Sequence, residues 1–291
     1  MSTGESKNKN FKRKFKFPID KSPNVCYNQC IKFKEETTMA IIATIDTETI
    51  STNEKKFCYN VGYVIADTDS RAILCKKDFV VEQIWHNRAL FETAYYAEKR
   101  PLYVSAMRGK RATLDKWGYI MREMARDFRE HKVEYAYAFN SPFDDSVFTF
   151  NCDWFKTNNP LDTVPVLDIR GMVSQFITND PAYIQFCEDN ERFTEGGNYS
   201  ANAETVYQYI TANHDFVEAH TALADSEIET EILFTCLDMG AEIGKEYEVT
   251  RVLWRNEEKP LVIKVDDKIV YSGKYRKKYV REGLYSFKTE I

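Results

Sequence analysis

The chain has 291 residues, 43% hydrophobic and 14% aromatic, with 19 Phe and 18 Tyr. That composition supports a sizeable packed core and excludes wholesale disorder; no run approaches the roughly 18 uncharged apolar residues of a membrane span. The formal charge of −5 is uneven, with +5 on residues 1–40, −13 on 41–240 and +3 on 241–291, which is not the footprint of a nucleic-acid-coating protein. An acidic body suits the holding of cations on carboxylates, with the basic ends left to attract phosphate. Seven scattered cysteines, an odd number, read as reduced thiols of a cytoplasmic protein and not as a disulfide framework. The polar, basic N-terminus has no apolar segment or cleavage site of a secretory signal.

Three units are expected in chain order. Residues 1–36, with the run Lys12-Arg13-Lys14, form a flexible basic arm. Residues 37–240 form an α/β domain. Its first strand is the apolar, β-branched run 39–45. Strands over 57–66 and 73–81 are joined through the turn-forming Asp67-Thr-Asp-Ser70 and make a hairpin. Helices follow over 88–100 and 112–131, the second amphipathic through Leu114, Trp117, Ile120, Met121, Met124 and Phe128. A fourth strand covers 134–139, with a helix starting near Pro142, since proline suits a first helical turn. A short fifth strand covers 164–168. Helices are expected near 170–178, 180–190, 203–212 and 221–239, the last stopped by Gly240. From Tyr247 the period becomes two, with a hairpin turn at Asp266-Asp267, so 241–291 form a small β unit.

Three acidic clusters sit at the ends of core elements. In Asp46-Thr47-Glu48-Thr49, alternation along a strand puts Asp46 and Glu48 on one side. Two carboxylates so placed repel each other and lose hydration unless a cation joins them, and oxygen ligands suit Mg²⁺ or Mn²⁺. The second cluster, Asn140-Ser141-Pro142-Phe143-Asp144, puts a carboxylate in the first turn of a helix, with Asn140 a plausible cap; spacing alone does not choose between Asp144 and Asp145. In the third, His220-Thr-Ala-Leu-Ala-Asp225, a His precedes a helix that carries an acid one and a half turns in. A neutral His near pH 7 takes a proton from water. Each cluster alone reads as a solvated loop, a cap or a surface His. Together they supply four carboxylates and a base, as phosphodiester hydrolysis by two metal ions requires.

The triplet resembles the DEDDh group of 3′–5′ exonucleases, the DnaQ-like branch of the ribonuclease H-like superfamily. The acid-x-Glu motif is Asp46-Thr47-Glu48, Asn-x-x-Phe-Asp is Asn140 to Asp144, and the His with an Asp five residues on is His220 to Asp225. The sister group's Tyr position holds Thr221, which favours the His branch. The resemblance covers about residues 39–239 and selects Asp144 over Asp145. It implies a mixed five-stranded sheet, the second strand antiparallel, flanked by helices. It also implies two divalent metals, Mg²⁺ or Mn²⁺, on Asp46, Glu48, Asp144 and Asp225, with Glu48 orienting the water and His220 as general base. The implied activity is release of nucleoside monophosphates from single-stranded 3′ ends, DNA favoured. Thr49, Asn140 and Phe143 are candidate substrate contacts. Ile50-Ser51 stands where relatives often have Thr-Gly, and Asp168, where relatives often place an acid, is a candidate support for the metal ligands and, more readily, a structural hydrogen-bonder.

The tail's Lys274-Tyr275-Arg276-Lys277 interleaves cations with an aromatic, which can pair phosphates and stack bases or keep a β edge soluble. Cys26 and Cys30 offer only two zinc ligands and read as thiols. Trp85, Trp117, Trp154 and Trp254 are expected in the core. The alternatives are an exoribonuclease acting on RNA ends and a non-catalytic nucleic-acid-binding or docking module on the same fold. A polymerase or other replication protein is a candidate partner, and no membrane is involved.

Overall fold

A computed structural model describes residues 40–52, 55–195 and 197–249, and the strands over 259–265, 268–275, 277–279 and 285–287. The expectations for the arm, Cys26, Cys30, Trp254, the Asp266-Asp267 turn, Arg276 and the side chains of Lys274, Tyr275 and Lys277 lie outside the described residues.

Strands β1 (Ile41–Thr52), β2 (Lys55–Asp67), β3 (Ile73–Val81), β4 (Thr113–Asp115), β5 (Tyr135–Ala138) and β6 (Val166–Asp168) form one sheet in the order β4-β3-β2-β1-β5-β6. The second strand is antiparallel to both neighbours, and the remaining pairs are parallel. This is the expected mixed α/β sheet with one added edge strand. Residues 112–131 do not form one helix. Thr113–Asp115 instead pairs with Phe79–Val81 of β3, and helix α4 (Trp117–His131) starts two residues later. A three-residue strand is set by the partner it pairs with, not by its own propensity.

The stretch 88–100 is likewise not one helix. After α1 (Glu82–Trp85), α2 (Arg88–Phe91) is capped by the Asn87 side chain, which accepts from the Leu90 N–H at 3.2 Å. Helix α3 (Arg100–Arg108) takes Pro101 into its first turn. These short pieces let Trp85, Phe91 and Tyr103 meet edge-to-face over Tyr59 of β2.

The sheet separates two apolar clusters. Along β1, Ala43 and Ile45 face one of them, with Trp117, Ile120 and Met124 of α4 and Val147 and Phe148 of α5 (Ser141–Phe155). Ile42 faces the other, built from α6 (Ile169–Phe176), α7 (Pro181–Asp189), α8 (Ala203–Thr211) and α9 (Ala222–Asp238). Helix α9 ends where Gly240 adopts φ +101°, a conformation that favours glycine. Beyond it, β7 (Lys259–Val265) pairs with β8 (Lys268–Tyr275), and β9 (Lys277–Tyr279) with β10 (Tyr285–Phe287), all antiparallel. Among the described residues, no helix is long and apolar enough to cross a membrane.

Candidate active site

The apolar run of β1 does not end the strand. Its pairing with β2 continues through Asp46↔Gly62 to Glu48↔Asn60, and the register breaks only between Glu48 and Thr49. Asp46 and Glu48 therefore lie within the strand, on the face turned to α9. Thr44 of that face donates to the Ser226 carbonyl at 3.1 Å and pairs with the Thr230 hydroxyl. Thr47 points the other way, and its hydroxyl donates to Asp144 Oδ1 at 2.7 Å.

Gly62 brings α9 to this spot. A Cβ at Gly62 would lie 2.1 Å from the backbone of Ala222 and Leu223, so only glycine lets the helix start rest on β2. The Ala222 N–H donates to Asn60 Oδ1 at 2.8 Å, and the Ser226 hydroxyl donates to the Gly62 carbonyl at 3.1 Å. These bonds satisfy groups that a helix start otherwise leaves open, and they fix Asp225 in the first turn, 6% exposed, opposite Asp46. Ligand oxygens of Asp46, Glu48 and Asp225 fall within 4.8 Å of one another.

Asp144 occupies the first turn of α5, 4% exposed, whereas Asp145 is exposed. Asp144 is outside the 4.8 Å group, and its Oδ1 accepts from the Thr47 hydroxyl. Asn140 adopts φ 78° and does not cap α5; its Oδ1 accepts from Arg170 Nη1 at 2.6 Å. Asp168 is structural, as expected: Oδ1 accepts the N–H groups of Asn140 and Arg170, each at 2.9 Å.

Asp46, Glu48, Thr49, Phe143, His220 and Asp225 all line one cleft of about 350 Å³. His220 is held with φ +50°, an uncommon conformation for a residue with a Cβ. The Tyr96 ring stacks on its imidazole at 4.5 Å and 12°, and Nδ1 lies 3.4 Å from Glu218 Oε2. Lys99 spans the same wall, with Nζ on the Ala219 carbonyl at 2.6 Å. Beside the cleft, Lys56 Nζ sits over the Phe143 ring at 4.3 Å and Lys55 Nζ over Trp154 at 4.8 Å. Trp154 is not in the core: it is 49% exposed.

The sequence reading missed Glu229, one turn along α9 from Asp225, 3% exposed and on the cleft wall. Its signal was there, an acid at i+4 on the same helix face, but α9 is buried nearly all round and presents no polar stripe to mark it. Tyr96, Lys99 and Glu218 carry no sequence signal.

The electrostatics are those of uncompensated anions. Burial pushes Glu48 up to about 8, Asp225 to about 8 and Asp144 to about 7. Asp46 and Glu229 are also held well above their ordinary values, first by burial and then by the neighbouring carboxylates, Asp144 foremost. Burial, then the charge of Lys99, holds His220 below its ordinary value. Asp225 Oδ1 and Glu229 Oε2 are buried with no hydrogen-bond partner. Five carboxylates with two orphaned oxygens fit hard divalent cations such as Mg²⁺ or Mn²⁺, which take oxygen ligands.

No family model and no curated protein matches the sequence. Among solved structures, the chain is similar to a 3′-exonuclease in 3′-end specific recognition of histone mRNA stem-loop, at 12% identity and TM-score 0.47, over 70% of this chain and 84% of that one. It is similar to the nuclease domain of 3′hExo, a DEDDh family member bound to rAMP, at 12% identity and TM-score 0.47, over 70% and 94%. It is also similar to E. coli Exonuclease I in complex with a dA16 oligonucleotide, at 15% identity and TM-score 0.41, over 68% of this chain and 43% of that one.

Proposed function

We propose that this chain is a metal-dependent 3′–5′ exonuclease of the DEDDh type that hydrolyses the terminal phosphodiester bond of single-stranded nucleic acid. The observation that carries the reading is the convergence of carboxylates from β1 and α9 on one cleft, with ligand oxygens of Asp46, Glu48 and Asp225 within 4.8 Å of one another, Asp225 Oδ1 buried without a partner, and a His on the same cleft whose protonated form burial disfavours. Two divalent cations bound there would activate water and stabilise the departing 3′ oxygen. Asp46, Glu48 and Asp225 would hold one cation, and Asp46 with Asp144 would hold the other. Glu48 orients the attacking water. His220 takes its proton, with Tyr96 fixing the ring plane and Glu218 the Nδ1 side. Phe143 and Thr49 line the cleft where the terminal nucleotide sits, and Lys56 stands next to it for the following phosphate.

The test is the double variant Asp46→Ala/Glu48→Ala, incubated with Mg²⁺ and single-stranded DNA and RNA, each labelled at the 5′ end. The wild type shortens the labelled strand one nucleotide at a time, faster on DNA; the variant leaves it whole. Undiminished laddering by the variant would end this reading, and faster laddering on RNA reassigns the substrate to RNA ends.

A further inference from the structure

The four motif carboxylates leave one acid in the cleft without a task. Glu229 lies one helical turn beyond Asp225, is 97% buried, and keeps Oε2 without a partner on the cleft wall. Its other contact is the Phe139 backbone N–H. A buried, half-satisfied carboxylate is among the least favourable groups a core can contain, and a Leu or Met at this helix position would fill the same space with no such penalty.

We propose that Glu229 is a fifth carboxylate of the metal centre, completing with Asp46 and Asp144 the site of the second cation. This rests on the reading of the cleft as a two-metal centre and adds a ligand to it. Three observations support the placement. The trio Asp46, Glu48 and Asp225 already brings three ligand oxygens within 4.8 Å, which suffices for one cation. Asp144 lies outside that trio and has an oxygen committed to Thr47, so a second cation on Asp46 and Asp144 alone would be thinly held. Glu229 lines the same cleft as Asp46 and brings to it a buried Oε2 that no group of the chain satisfies, so it can offer a second cation the further oxygen. A cluster of five acids also matches two divalent charges better than one.

The experiment is a calorimetric Mn²⁺ titration of the full chain without nucleic acid, paired with thermal unfolding in EDTA. It compares wild type, Glu229→Gln, Glu229→Leu and Asp46→Ala. The wild type takes two Mn²⁺. Glu229→Gln keeps the first at wild-type affinity and weakens the second about 10–100-fold, the range seen when a supporting ligand is removed. Glu229→Leu loses the second site and, freed of a buried carboxyl group with an unpartnered oxygen, melts higher than wild type in EDTA. Two Mn²⁺ bound with unchanged affinity by both Glu229 variants, or a lower melting temperature for Glu229→Leu in EDTA, overturns the proposal while leaving the exonuclease reading intact. If the wild type binds no Mn²⁺ and Asp46→Ala changes nothing, the metal centre itself fails.

Discussion

Asp127 and Asp225 are almost equally buried, at 3% and 6% exposure, yet their surroundings treat them in opposite ways. Burial raises the affinity of Asp127 for a proton, but Lys77 Nζ at 2.6 Å, the Tyr63 hydroxyl at 2.7 Å and Arg126 Nη2 at 3.2 Å outweigh it, and its pKa ends below the ordinary value. The cleft carboxylates receive no such company. Among the described residues none forms an ion pair with Lys or Arg, and those whose shifts are resolved are all raised. A carboxylate buried for structure arrives with its cations supplied by the chain. A carboxylate placed to bind a cation, the role proposed for those of the cleft, lacks them, because its compensating charge would come from outside. The count of acids does not separate the two places; the state of their partners does.

The widest gap between the two places should open in activity. His220→Ala removes the proposed base and should slow 3′-end degradation by about 10²–10⁴-fold, while Mn²⁺ still binds at Asp46, Glu48 and Asp225, since His220 groups with Glu204 and Glu218 and not with that trio. Single-turnover assays beside Mn²⁺ titration check this. Equal loss of rate and of metal binding would make His220 a ligand and blur the division between base and metal site.

Asp127→Ala should do the reverse. It strands the Tyr63 hydroxyl and leaves Lys77 with Glu123 at 3.3 Å, a loss of about 1–3 kcal/mol for a buried unsatisfied partner, read as a drop in Tm of about 2–4 °C per kcal/mol. Exonuclease rate below the melting range stays at the wild-type value. Lost rate without lost Tm would show that the Asp127 cluster reaches the cleft and that the two places are not independent.

The sequence made some of this legible and hid the rest for physical reasons. The β1–β2–β3 unit was readable because β-branched runs and the Asp67–Ser70 turn agree with the pairing. So was α4, whose apolar residues fall on one stripe and are buried together. The region 82–115 was not, because Asn87, Pro101 and the β3 edge divide it by capping and tertiary pairing. The strand β1 was cut short at residue 45 because acids read as loop; they stay in strand because Gly62 and Asn60 across the pair anchor α9 over them. Of the motif residues, Asp46, Glu48, Thr49, Phe143, His220 and Asp225 line the cleft, whereas Asp144 and Asn140 do not. Glu229 escaped motif spacing because a lone acid in a buried helix has no pattern of its own, and Trp154 was misplaced because an aromatic in a helix does not announce which face it takes.

The smallest effect is the most discriminating, since it compares the two acid sites in a single titration. In EDTA the folded chain holds protons on Glu48, Asp144 and Asp225 up to about 8, 7 and 8, whereas the unfolded chain releases them near the ordinary carboxylate value of about 4. The native state therefore binds more protons across pH 5–8, and stability falls as pH rises through that window. Asp127 has the opposite sign: its pKa is depressed on folding, so its contribution is present above about pH 4 and is lost as pH falls through its folded value. Melting curves in EDTA should thus decline by a few degrees on the alkaline side and also on the acid side. Saturating Mn²⁺ should flatten only the alkaline decline, because the metal replaces the protons, and Asp127→Ala should flatten only the acid one. A Tm that is level or rising from pH 5 to 8 without metal would mean that the cleft carboxylates ionise as freely as solvated ones, and the contrast between the two places would then be one of position alone.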